Sequence, residues 1–222
     1  VILQAERCEF RSQNSNEVYW EQEVYPAWTR LNCFRPIPNQ QRGAGVEPHY
    51  HDNDEIWLFT SGRGEVWLDG QSFPVTPNTL VYTPMGVIHR FQMFTDFANL
   101  AIVTPLERRR RAAHLLVEKD GPPEPTAAGF VVAGADNGGP IADRGPRCPI
   151  SELRQVELAP GYRLEDAQLA LNEHWAVLDG SMLLTVDETT VALSPGDVAL
   201  IRAGARRALR SLQRVRAVVC RE

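Results

Sequence analysis

The chain repeats itself. A shift of 118 residues aligns its two halves without a gap: Gly43 meets Gly161, Glu55 meets Glu173, Trp57 meets Trp175 and Gly62 meets Gly180. At the same offset Asp69 meets Asp187, Pro77 meets Pro195 and Gly86 meets Gly204. Most of these are turn glycines, turn-adjacent residues or aromatics, the positions that fix the corners of a β-barrel. In the first half, β-rich runs at residues 56–59, 65–68, 72–75, 80–83 and 89–94 are separated by turn signals, among them Asp69-Gly70. Short strands about ten residues apart, punctuated by Gly, Pro and Asp-Gly, indicate an antiparallel sandwich or barrel. The pattern resumes at residues 183–186, 191–193 and 197–201. A length of 222 residues accommodates two such units of roughly 110.

Between the halves the composition shifts to Gly, Pro, Ala and Asp over residues 120–149, which marks a linker. Ahead of it, residues 106–118 predict the one helix, with Leu106, Ala113, Leu116 and Val117 near one stripe. Arg108 to Arg111 then occupy all sides of that helix, with Glu107 and Arg111 at i,i+4 spacing. They read as a solvated or salt-bridged face, because a net charge of −5 argues against a nucleic-acid surface. The expected domains are 1–105, 106–149 and 150–222.

Several function classes fall away. With 22 Arg and one Lys, Lys119 in a loop-like stretch, lysine chemistry has no good candidate. No run approaches the ~20 apolar residues of a membrane span, and the first eight residues are too charged for a signal peptide, although a removed presequence stays open. Cys8, Cys33, Cys148 and Cys220 are far apart, which predicts free thiols in a reducing cytoplasm.

There are five histidines, and three fall in two short segments. The first segment is Gly43-x5-His49-x-His51-x3-Glu55-x6-Gly62; the second is Asn78-x5-Pro84-x-Gly86-x2-His89. On a strand, His49 and His51 project from one face. Glu55 can rejoin that face across a break at Asp52-Asn53-Asp54, and His89 opens a later strand that brings a third imidazole opposite. Burying such a set unpaired would be costly, whereas a divalent first-row metal neutralises it and uses every lone pair.

These two segments resemble the paired motifs of the cupin superfamily, G-x5-H-x-H-x3,4-E-x6-G and G-x5-P-x-G-x2-H-x3-N. The first matches at every specified position. In the second, Asn78 replaces the initial Gly and Met93 the final Asn; neither change removes a ligand. With the repeat, the resemblance covers residues 28 to 220 or so and implies an all-β bicupin: two double-stranded β-helix (jelly-roll) barrels joined by a linker with one short helix. It further implies His49, His51, Glu55 and His89 as ligands of one divalent transition metal. Iron is favoured, with Zn, Mn, Ni and Co as alternatives.

The second half departs from this pattern. At the fixed offset His49 maps to Ala167, His51 to Leu169 and His89 to Arg207, while Glu55 keeps Glu173. A lone carboxylate will not hold a transition metal, so the second barrel is expected to be metal-free, with Glu173 and Arg207 forming a buried ion pair in the vestigial site. His174, one step off, is expected to face away from the barrel interior. In the first barrel, alternation puts Trp57, Phe59, Phe91 and Met93 on the metal side. Arg30 or Arg35 could anchor an anionic group, and Tyr82 or Glu47 could supply an acid or base where they face inward. His114 has no motif around it.

The expected function is metal-dependent chemistry on a small organic molecule, leaning to a non-haem iron dioxygenase. The alternatives are a non-redox isomerase, cyclase or lyase, and a non-catalytic small-molecule-binding bicupin. The expected partners are the substrate and, in a homodimer, a second copy; neither nucleic acid nor membrane is expected.

Overall fold

In the computed structural model, residues 2–5, 8–12, 25–133 and 148–222 are described, and they form strands almost throughout. The chain opens with β1 (Ile2–Ala5) and β2 (Cys8–Ser12). The first half continues with β3 (Cys33–Gln40), β4 (Gly45–Tyr50), β5 (Glu55–Ser61) and β6 (Gly64–Leu68), then β7 (Gln71–Val75), β8 (Thr79–Thr83), β9 (His89–Met93) and β10 (Phe97–Val103). A bridge follows, made of β11 (Leu115–Leu116), α1 (Val117–Asp120) and β12 (Phe130–Val132). The second half has β13 (Glu152–Leu158), β14 (Arg163–Gln168), β15 (Glu173–Asp179) and β16 (Met182–Val186). It ends with β17 (Thr189–Leu193), β18 (Asp197–Ile201), β19 (Arg206–Ser211) and β20 (Val215–Arg221). Moved by 118 residues, β4 to β8 land end to end on β14 to β18, and β10 on β20.

The duplication is conformational as well. Asn78 has φ +66 and its counterpart Gly196 φ +90. Their N–H groups donate to the equivalent carbonyls of Phe59 and Val177, at 2.7 and 3.0 Å. Asn tolerates the left-handed region better than other side chains do, so the loss of the motif's first Gly leaves the corner intact.

Four sheets stack across the molecule. At the centre, β12-β8-β5-β10-β3 packs face to face on β1-β2-β18-β15-β20-β13; on the flanks, β11-β4-β9-β6-β7 and β14-β19-β16-β17 close the two barrels. The sequence encodes the difference. Central strands are covered on both faces and read as unbroken apolar runs, as in β5. Flanking strands face solvent on one side and alternate, as β6 and β16 do. Along β5, Ile56 and Leu58 enter the core between the barrels with Ala176, Val198, Leu200 and Val218. Trp57 and Phe59 point the other way, into the first barrel with Val66 and Met93. Trp175 and Val177 fill the second barrel with Met182, Leu184 and Leu209. Fully burying an aliphatic side chain is worth about 1.5–3 kcal/mol, so Leu58, Leu80, Leu100, Ile102, Leu153 and Leu200 alone make this interface comparable to the net stability of a domain.

Strand pairing crosses the division expected at residue 105. β2 pairs with β18 of the second barrel, while β12 pairs with β8 of the first. β2 precedes the first half and β12 the second, so each barrel takes an edge strand from the segment that leads into the other. The helix expected over 106–118 is not formed: only Val117–Asp120 is helical. Residues 107–114 are irregular, with a turn at 108–109, and Arg109 has φ +76 and Ala113 φ +95. Strand pairing won over helical propensity, because β11 docks on β4 and Arg111 leaves its expected Glu107 partner for Asp52. Of the expected linker, residues 134–147 lie outside the described part. Cys8, Cys33, Cys148 and Cys220 are buried and form no disulfide, and burial raises the Cys148 thiol to about 11. No described helix is long and apolar enough to cross a membrane.

Candidate metal centre

Two facing sheets build the site at one mouth of the first barrel. His49 ends β4, His51 follows it, and His89 opens β9 directly opposite His49. Glu55 opens β5 in the central sheet, reached through the 51–54 turn. Glu55 therefore does not rejoin the strand face of His49 and His51, as the spacing suggested; the turn carries the chain from one wall to the other, while His89 comes opposite as expected. All four are buried.

Hydrogen bonds set the tautomers. Nδ1–H of His49 donates to the Glu47 carbonyl at 2.7 Å, and Nδ1–H of His89 to the Val87 carbonyl at 2.8 Å. With Nδ1 carrying the proton, each Nε2 keeps its lone pair for a ligand. The His49 Nε2 atom is buried and makes no hydrogen bond among the described residues. Glu55 Oε2 lies 3.3 Å from His51 Nε2 and 3.5 Å from His89 Nε2, and the possible ligand atoms of these three residues all fall within 4.8 Å of one another.

The charge states suit a cation. Burial, reinforced by His89, lowers His49 to about 3, so its imidazole is neutral at any ordinary pH. Burial works to raise the Glu55 carboxyl, but the neighbouring imidazoles of His51 and His89 outweigh it and hold it well below the usual range. A neutral His49 imidazole and an ionised carboxylate, converging with the imidazoles of His51 and His89, fit a divalent transition metal, for which these four residues would be the ligands.

An aromatic wall stands behind them. The Trp57 ring meets His89 edge-on at 5.4 Å and Phe91 at 5.3 Å. Phe59 packs deeper, 6.2 Å from both Trp57 and Phe97, and Met93 is buried in the same cluster. Tyr82 is not part of this wall. It pairs with Ile56 on β5, so it shares that residue's face and points into the core between the barrels. There its hydroxyl donates to Asp54 Oδ2 at 3.1 Å. Arg30 is also elsewhere: it is exposed, and its backbone N–H donates to Glu222 Oε2 at 2.9 Å. Arg35 is buried and pairs with Ala101, on the face that lines the first barrel. Glu47 is exposed and contributes only its carbonyl.

One residue at the mouth has no signal in the sequence. The His114 ring lies 4.2 Å from His49 and 5.1 Å from His51. No local pattern marks it, because strand pairing across the fold brings it there.

In the second barrel, Arg207 and Glu173 come together as the offset suggested. Arg207 Nε donates to Glu173 Oε1 at 2.8 Å, and Nη2 to Oε2 at 3.2 Å. Arg221 and the Trp175 indole also donate to this carboxylate. His174 faces the interface between the barrels, 5.8 Å from the Phe34 ring, with Nε2 3.0 Å from Glu222 Oε1.

Residues 39–102 match the cupin domain family. Among curated proteins, the uncharacterised protein y4oW of Sinorhizobium fredii is 32% identical over 100 residues, which is 42% of this chain and 46% of that one. The match thus spans less than half of the relative's length. A deletion variant of oxalate decarboxylase from Bacillus subtilis superposes with a TM-score of 0.66 at 15% identity, covering 100% of this chain and 74% of that one. A point variant of salicylate 1,2-dioxygenase from Pseudoaminobacter salicylatoxidans gives a TM-score of 0.54 at 10% identity, over 82% of this chain and 69% of that one. The cupin family match is confined to residues 39–102, and the likeness to the solved structures shows a shared fold. The family match lies in the first barrel, and the shared fold extends over both jelly-roll barrels. Within this two-barrel fold, the histidine and glutamate cluster occupies one barrel and a guanidinium–carboxylate pair the corresponding place in the other.

Proposed function

We propose that the first barrel is a metal-dependent active site for a small organic molecule, working as a non-haem iron dioxygenase. The observation that carries this reading is the convergence of lone-pair-bearing imidazoles on an ionised, buried Glu55. Iron bound by His49, His51, Glu55 and His89 would supply the activation of dioxygen. The chain's own residues do the rest. The carbonyls of Glu47 and Val87 hold two imidazoles in a single tautomer. Trp57, Phe59, Phe91 and Met93 exclude water from the inner side and offer a surface for a planar or apolar substrate. Arg35 is the candidate to orient a carboxylate on such a substrate, since its strand position faces the same interior. The cupin fold shared with salicylate 1,2-dioxygenase gives the chemistry a precedent.

A second reading is a non-redox lyase using the same four ligands. The higher structural similarity to oxalate decarboxylase favours keeping it. The second barrel, with Arg207 filling the ligand position, is assigned no metal under either reading.

Metal analysis followed by oxygen-electrode measurements tests the proposal. About one iron per chain is expected, with oxygen uptake on a panel of hydroxylated aromatic acids and short carboxylic acids. His89→Ala and Glu55→Ala should each abolish both. Turnover without oxygen uptake would select the lyase, and a chain that takes up no transition metal would overturn both readings.

A further inference from the structure

Four of the five histidines meet at one mouth, one more than the motifs supply. The ring nitrogens of His49, His51 and His114 that could bind a cation all lie within 4.8 Å of one another. The ligand atoms of His51, Glu55 and His89 meet the same limit, and His51 belongs to both groups. Imidazoles on one metal, with bonds of about 2.0–2.1 Å, hold their nitrogens roughly 3–4 Å apart, so only small side-chain movements separate the five residues from one ligand set. His114 differs from the other four in being exposed. It approaches from the solvent side.

Its position is imposed by the backbone. β11 pairs Leu115 with Tyr50 and Leu116 with His49, and this register, continued one step, sets His114 opposite His51. Arg111 fastens the segment before it: its N–H and Nε donate to Asp52 Oδ2 at 3.0 and 3.1 Å, and its Nη2 to the Tyr50 hydroxyl at 3.0 Å. Each anchor belongs to the segment that carries His49 and His51. The neighbouring Ala113 holds φ +95, a region that costs an L-residue about 1 kcal/mol or more. A surface loop with no role would relax from it.

We propose that His114 is a fifth protein ligand, a detachable imidazole that covers the solvent side of the metal until a small molecule displaces it. This rests on the reading of His49, His51, Glu55 and His89 as a metal site, and adds to it how the outer position is guarded. Binding of a competing anion then carries the cost of removing His114, so losing the imidazole weakens metal retention but strengthens anion binding. A merely structural histidine would move neither in that pattern.

The test uses the full chain loaded with Co(II), whose absorption reports ligand number, and azide as the probe. In His114→Ala, and equally in His114→Gln, Co(II) affinity by chelator competition should fall about tenfold, while azide binds several-fold more tightly than to the wild type. Added imidazole should restore the wild-type spectrum of the Ala variant. The melting temperature of the metal-free variants should match that of the wild type. Variants indistinguishable from wild type in spectrum and azide affinity would overturn the capping role and leave the metal site standing. Failure of the wild type to bind Co(II) would overturn the metal site and the cap together.

Discussion

Glu55 and Glu173 sit at equivalent positions, and their neighbours decide what each does. Around Glu55 are imidazoles with inward lone pairs; around Glu173 are Arg207, Arg221 and the Trp175 indole, which use up its oxygens. A buried pair is costly to break singly and cheap to replace as a unit. Arg207→Ala should therefore destabilise the protein by about 3 kcal/mol, whereas Glu173→Gln with Arg207→Met should cost far less, as read from urea unfolding. The pH dependence has a definite sign. Burial works to raise the Glu173 carboxyl, but the Arg207 bonds outweigh it and hold it below its usual 4.5. Its contribution is thus complete above pH 4.5 and lost as pH falls from there through the lowered folded value. Glu173→Gln should flatten that acid limb in unfolding titrations. At this scale the clustering of His49, His51, Glu55 and His89 and the Glu173–Arg207 partnership were readable, since fixed spacings and one offset define them. Tyr82 was misplaced because a single residue of register decides which face of β8 it takes. His114 was unreadable because its approach depends on pairing between segments more than sixty residues apart.

The hairpins are where element geometry was most legible. Asp69 and Gly70 join β6 to β7 with φ of +48 and +78, as a two-residue turn with both residues left-handed requires. Two glycines separate conformational cost from steric cost. A Cβ at Gly70 would meet nothing within 4 Å, but one at Gly62, φ +93, would sit 2.5 Å from Phe97 Cβ and 2.8 Å from the Asp96 carbonyl. Gly70→Ala should cost about 1 kcal/mol, and Gly62→Ala about 3 kcal/mol, because overpacking adds to the backbone term. Chemical denaturation of the two variants gives the comparison. The bridge between the halves misled the sequence reading for an equally physical reason. Residues 106–118 carry helical periodicity, but one Arg111–Asp52 contact and two residues of β11 pairing redirect them, and neither leaves a periodic trace.

For the molecule as a whole, the central interface and the traded strands make one folding unit out of two barrels. The Glu222 carboxylate strengthens the join by accepting hydrogen bonds from the Arg30 backbone N–H, Asn172 and His174. Calorimetry should show a single transition. Leu58→Ala, in the shared core, should lower it by the equivalent of about 2–5 kcal/mol without splitting it; two resolved peaks would contradict a common unit. The duplication was plain in the sequence because the 118-residue offset preserves corners. The trade of β2 for β12 was not, since short edge strands carry no distinctive pattern and either barrel could have received them. Ligand positions can differ between the copies, as they do at Ala167, Leu169 and Arg207. The second copy itself cannot be deleted without uncovering the first barrel, because Ala176, Val198, Leu200 and Val218 of β15, β18 and β20 bury Ile56, Leu58 and Leu100. The second half thus acts as a splint, its strands bracing the wall from which Glu55 projects.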